Sequence, residues 1–301
     1  MQLEQFVGRE AEVRTIVGNV ELGHSTLIIG EEGVGKTALL EVVHLIIEDK
    51  TVIFTERITP FGSFLKEMFS SLWDKRLIPD CSEDLAQDFK AWGKLCSNND
   101  AKARYLSELI AELEGIVLII DDASGLTPTS RPHLEAFLDS CTVIAGVHPT
   151  ALKKNGSKRF WKRFDELRLE RLSKSDARAL LELKIERYGI RADEPEIYLR
   201  KVLELAQGSP FELERLVKYH SSESLVKTKD LGGYSQSFVE RDEKGVALAP
   251  LLLVFSAAGI ALRYIARAQG DLDLYVIGGI SIAFFIVAGP LLRKTLKPRS
   301  Q

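Results

Sequence analysis

From Gly23 to Pro149, short and nearly continuous apolar runs alternate with longer stretches in which apolar residues recur every three or four positions. The short runs, Thr26–Ile29, Thr51–Thr55, Ile116–Ile120 and Thr142–Val147, predict strands, and the pattern from Thr37 to Asp49 predicts a helix between the first two. Strands that are apolar at successive positions are buried on both faces, which predicts a parallel sheet with helices packed on each side. Phe64 to Glu114 is helical in pattern, broken by Pro79 and by Ser97–Asp100, a cluster suited to capping the helix that follows. One more strand is expected at Glu166–Glu170, where apolar side chains alternate. From Ser173 the spacing is helical again, and Gly189, Pro195 and Gly208 divide it into three helices ending near His220. The pattern describes an α/β core over residues 1–171 and a small all-α domain over 172–220.

Residues 221–245 are rich in Ser, Gly and charge without periodicity and read as a linker. Two uncharged runs follow, Val246–Leu262 with seventeen residues and Leu274–Leu292 with nineteen, each near the length that crosses a hydrocarbon core of about 30 Å. Arg241, Lys244, Arg293, Lys294, Lys297 and Arg299 flank the pair, against Arg263 and Arg267 between the runs. That distribution predicts a transmembrane hairpin over 246–292 with both ends cytoplasmic and a basic cytosolic tail over 293–301. With few polar side chains in the runs, Ser256 and Ser281 among them, a passive anchor is expected in preference to a pore. Residues 1–6 have neither the basic start nor the apolar stretch of a secretory signal, so none is expected.

Charge sharpens this division. The 301 residues carry a formal net charge of −3, and the six Lys/Arg and two Asp of residues 246–301 leave −7 on the 245 residues before them. An acidic body argues against general nucleic-acid binding, which needs a positive surface to meet the phosphates. Three widely spaced cysteines, Cys81, Cys96 and Cys141, exclude a disulfide framework, and the five histidines never fall at i, i+4 spacing, so no zinc site is expected.

The chemistry is concentrated in Gly30-Glu31-Glu32-Gly33-Val34-Gly35-Lys36-Thr37, which matches G-x-x-x-x-G-K-[ST] directly after an apolar strand and at the start of a helix continuing through Ala38. Glycines let successive backbone amides turn inward around an anion, and the helix N-terminus adds its dipole at the same point. Lys36 is then expected to neutralise the outer phosphates of a nucleotide and Thr37 to reach Mg²⁺. The run Ile116–Ile120 ends in Asp121 and Asp122. Asp121 is the expected metal carboxylate, and Asp122 is expected to orient or deprotonate the attacking water.

With these motifs the chain resembles the AAA+/STAND class of P-loop ATPases, near the origin-recognition-like and MalT-like regulators. Phe6, Val7, Gly8, Arg9 and Glu10, with Glu12, resemble the N-terminal box that in the class packs by the adenine. Asp121-Asp122 resembles the paired-Asp form of the second motif, and Gly208-Ser209-Pro210 resembles the lid motif whose proline sits near the base. The resemblance implies a P-loop NTPase sheet with a helical lid, binding ATP or ADP with Mg²⁺ through Phe6, Val7, Arg9, the loop Gly30–Ala38 and Pro210. It further implies a sensor at His148 and a trans-acting arginine finger at Arg163, or less well Arg159. Phe211 stands where hydrolytic members carry a lid arginine, with Arg215 one turn later.

Together these features describe a slow membrane-anchored ATP hydrolase, acting as a conformational or assembly switch at the cytoplasmic membrane face. The expected partners are other copies of the chain or a separate protein, with nucleic acid disfavoured. A scaffold that scarcely hydrolyses its nucleotide and a membrane-tethered nucleic-acid remodelling ATPase are the alternatives.

Overall fold

The computed structural model describes residues 7–47, 49–153, 158–222 and 225–228, with 264, 265, 268 and 269. Five strands, β1 (Thr26–Ile29), β2 (Thr51–Arg57), β3 (Ile116–Asp122), β4 (Thr142–Val147) and β5 (Asp165–Arg168), form one sheet in the order β2-β3-β4-β1-β5. Every pairing is parallel.

Alternation along each strand sorts the apolar side chains onto two faces, as a period of two requires. Ile28, Val52, Val117, Ile119 and Ile144 point to one side, where α1 (Glu10–Glu21) and α2 (Lys36–Ile46) cover them. Leu27, Ile53, Leu118, Ile120 and Val143 point to the other. That second face lies under α3 (Phe61–Asp74), α4 (Leu85–Leu95), α5 (Asn99–Ala111) and α6 (Arg131–Ser140). A short 3₁₀ turn at Pro149–Lys153 and α7 (Lys158–Trp161) lead into β5.

The expected cluster at Ser97–Asp100 does cap a helix: the Asn98 side chain accepts from the Ala101 amide of α5 at 2.8 Å. Other boundaries differ from the sequence pattern. The first α/β helix ends at Ile46 instead of Asp49, β2 runs on to Arg57, and β5 begins at Asp165 and stops at Arg168. Strand length follows backbone pairing more than side-chain polarity; Arg57 stays in register with Asp122 although both are charged. Helix α1 has no counterpart among the predicted elements, although Val13, Ile16 and Val20 recur at helical spacing and are buried.

Helices α8 (Lys174–Tyr188), α9 (Pro195–Ala206) and α10 (Pro210–His220) complete a compact unit over Met1–Thr228. Ser173 caps α8 through the Asp176 amide, and Ser209 caps α10 through the Glu212 amide, as N-cap hydroxyls do. Within this small domain Glu214 accepts from Lys184 and from Lys218, each at 2.8 Å. The Lys184 bond and then the Lys218 bond hold the Glu214 carboxyl well below its ordinary 4.5, at about 2. A depressed pKa contributes stability that is complete above 4.5 and is lost as pH falls through about 2. The melting temperature of the parent should therefore fall more steeply between pH 5 and about 2.5 than that of Glu214→Gln, read by circular dichroism.

The predicted hairpin over 246–292 and the tail over 293–301 lie almost wholly outside the described residues. Among the described residues no helix is long and apolar enough to cross a membrane. Tyr264, Ile265, Ala268 and Gln269 are helical, inside the stretch that the charge pattern assigns to the connection between the two runs. Ala and Arg in that stretch favour helix, which a connection defined by charge does not exclude.

Candidate functional site

The carboxyl ends of β1, β3 and β4 converge where the strand order departs from chain order, with β1 inserted between β4 and β5. Open parallel sheets form a crevice at such a point. The loop leaving β1 turns twice through left-handed backbone, at Gly33 (φ 74°) and Gly35 (φ 101°), a region that side chains with a Cβ rarely enter. Gly35 is the N-cap of α2, so the first amides of that helix point into the crevice.

Lys36 Nζ donates to the carbonyls of Gly30 and Glu31 at 2.8 Å each. Burial lowers the Lys36 pKa, opposed by the nearby charges of Asp121, Asp122 and Glu32. Thr37 Oγ1 lies 2.9 Å from both carboxylate oxygens of Asp121 and donates to the pair. Burial raises the Asp121 pKa despite that bond. Desolvation outweighs the mutual attraction at both groups, which marks a partly dry, polar floor.

Asp121 is placed by its neighbour strand. A Cβ on Gly146 of β4 would lie 2.2 Å from the Asp121 carbonyl oxygen, so β4 can approach β3 only with glycine there. Asp122 is exposed and accepts from the Ser124 amide at 2.9 Å. His148 follows β4; its amide donates to Ser124 Oγ and its Nδ1 bonds Thr150 Oγ1, both at 2.8 Å.

The small helical domain closes one wall. Ser209 Oγ and the Phe211 amide both donate to the Gly33 carbonyl, at 3.1 and 3.3 Å. The resulting cleft of about 780 Å³ is bordered by Lys36, Thr37, Asp121 and Asp122 at one end and by Val7, Leu172 and Pro210 elsewhere. Glu32, Val34, Ala38 and His148 also border it. Hydroxyl and carboxylate oxygens at Thr37, Asp121 and Asp122 suit a hard cation, and no cluster of three or more His, Cys, Asp or Glu able to hold a metal alone occurs among the described residues. Magnesium fits such a site, since it keeps waters and substrate oxygens alongside one or two protein ligands.

Some sequence-predicted residues stand apart. Phe6 lies outside the described residues. Arg9 borders the cleft, but its guanidinium is engaged by Glu12 at 2.9 Å and by the carbonyls of Val34 and Glu170, which makes it a clamp between the N-terminal segment, the loop and the end of β5. Gly30 and Glu31 border a separate hollow, with Glu31 paired to Arg171 at 3.3 Å. Arg163 is bonded to Asp139 near the start of β5, which pairs with the start of β1. About 13 Å of strand separates that edge from the loop, so Arg163 does not join the cleft of its own chain. Arg215 pairs with Glu212 at 2.6 Å.

The bordering residues that were not anticipated include Arg57, Lys184 and Glu214. The position of Arg57 just beyond an apolar run was the available signal, because carboxyl strand ends face the crevice. Nothing in the helical pattern of α8 and α10 marks the other two.

Residues 5–147 match the family model described as the AAA ATPase domain. No curated protein matches the chain in sequence. Among solved structures, the chain is similar to the Walker-type ATPase of Pyrococcus abyssi, with a TM-score of 0.54 and 15% identity over 93% of this chain and 91% of that one. It is also similar to the ORC1 protein of Aeropyrum pernix in complex with DNA, with a TM-score of 0.55 and 17% identity over 85% and 72% of the two chains. At these identities the likeness is one of fold.

Proposed function

We propose that the chain is a membrane-anchored, Mg-ATP-dependent switch that hydrolyses ATP slowly between its α/β core and its three-helix lid. The observation that carries this reading is the meeting of Lys36, Thr37, Asp121 and Asp122 in one cleft whose wall is the lid. Loop amides and the N-terminus of α2 supply the anion cradle, and Lys36 can leave the Gly30 and Glu31 carbonyls for phosphate oxygens. Magnesium, when bound, would supply Lewis-acid charge at the phosphoryl oxygens, held through Thr37 and Asp121. Asp122, exposed beside them, is placed to orient a water or take its proton.

The lid contacts the loop directly at Gly33, so a nucleotide that moves the loop biases the lid. Differential binding of ATP and ADP to two lid positions is the physical requirement for a switch. The uncharged runs at 246–262 and 274–292 support anchoring at the cytoplasmic membrane face. The partner is another copy of the chain or a separate protein. A scaffold with little hydrolysis is the second reading, favoured by Phe211 at the lid position and by the engagement of Arg163 with Asp139. The ORC1 neighbour is in complex with DNA, but the −7 body of this chain disfavours the same role here.

The full chain, reconstituted into liposomes, should float with the vesicles and release phosphate from Mg-ATP. Deletion of 246–292 should abolish flotation and spare ATP binding. Flotation that survives the deletion removes the anchor, and tight ATP binding without phosphate release selects the scaffold.

A further inference from the structure

We infer that Arg57 contacts the terminal phosphate from within the same chain and is the residue by which a triphosphate is told from a diphosphate. This rests on the nucleotide reading of the cleft given above. Arg57 is the last residue of β2, in register with Asp122. The next residue, Ile58, is buried, and its amide donates to the Asp122 carbonyl at 3.1 Å, so the main chain carrying Arg57 is fixed beside the carboxylate pair. The side chain borders the same cleft as Lys36, Thr37, Asp121 and Asp122.

Four cationic residues border that cleft, and three have other engagements. Arg9 is held by Glu12, Lys184 by Glu214, and Lys36 by its own loop. Arg57 is in no ion pair with a described residue. The charge balance calls for such a cation: Glu32, Glu41, Asp121 and Asp122 border the cleft, and the ligand brings roughly three to four further negative charges. Lys36 at the start of α2 serves the loop side, which leaves the strand-end side, where Asp122 sits, to Arg57.

In hydrolysis the water oxygen bonds to the γ-phosphorus, and the bond from phosphorus to the bridging oxygen breaks with its electrons going to ADP. The water proton passes to Asp122 or solvent. Charge spread over the non-bridging oxygens is met by a guanidinium fork better than by an ammonium, since two parallel N–H groups match two oxygens. Phe211 provides no charge from the lid, and Arg163 lies at the far edge of the sheet on Asp139.

The test uses the full chain in detergent with ADP and a non-hydrolysable triphosphate analogue, read by calorimetry, alongside ATP turnover. Arg57→Ala and Arg57→Gln should keep ADP affinity within about twofold and lose at least ~10-fold in analogue affinity, the worth of one charged hydrogen bond. Turnover should fall about 10³-fold, with Arg57→Lys in between, and parent turnover per chain should not depend on protein concentration. Equal losses for both nucleotides, an unchanged ratio, or turnover that vanishes on dilution overturns the assignment. A parent chain that binds neither nucleotide overturns the reading beneath it as well.

Discussion

Lys36→Ala should abolish measurable binding of ATP and ADP while leaving the melting temperature within about 2 °C of the parent. A cation on the first turn of a helix faces the positive end of the helix dipole, an arrangement unfavourable by about 0.3–1 kcal/mol. In the absence of ligand that cost is offset by the two 2.8 Å bonds to Gly30 and Glu31. Alanine removes both effects, so folding stability scarcely changes. Binding loses charge-assisted contacts of about 1.5–3 kcal/mol each, and two of them correspond to a weakening of at least ~10²-fold. Calorimetry and thermal melting on the same preparation separate the two quantities. Undiminished nucleotide heat in this variant would remove Lys36 from the site and the phosphate loop with it.

Gly146→Ala should disable the site without touching any side chain in it. The new Cβ would stand 2.2 Å from the Asp121 carbonyl oxygen, a main-chain atom directly after the last β3–β4 pair, Ile120 with Ala145. Neither strand can yield alone, because the Gly146 carbonyl also accepts from the Ala123 amide at 2.8 Å. Overpacking of this kind costs about 1–3 kcal/mol. It should move the Asp121 carboxylate away from Thr37, so magnesium should no longer strengthen ATP binding, while ADP binding without metal should persist within a few-fold. Magnesium titrations by calorimetry, with melting as the stability check, decide this; an unaltered magnesium effect would detach Asp121 from the metal.

The legible part of the site was the part encoded in contiguous residues. Gly30 to Thr37 can be read because one loop, one glycine pattern and one helix start serve one anion, and Asp121-Asp122 because strand ends carry polar residues into the crevice. Arg9 was legible only as a position. That its guanidinium is spent on Glu12 and on the carbonyls of Val34 and Glu170 depends on segments some 25 and 161 residues away. Arg163 illustrates the same limit, because the edge of the sheet it occupies follows from β5 pairing with β1.

The sequence by itself determined the alternation of buried strands and amphipathic helices, the phosphate loop and the two long uncharged runs near the end. Each depends on the chemistry of residues close together in the chain. Tertiary structure decided the strand order, the closing of α8–α10 on Gly33, and the arrival of Arg57 beside Asp122. Those depend on contacts between distant segments, where a paired backbone carries charged residues past the end of an apolar run and no local periodicity records where they come to rest.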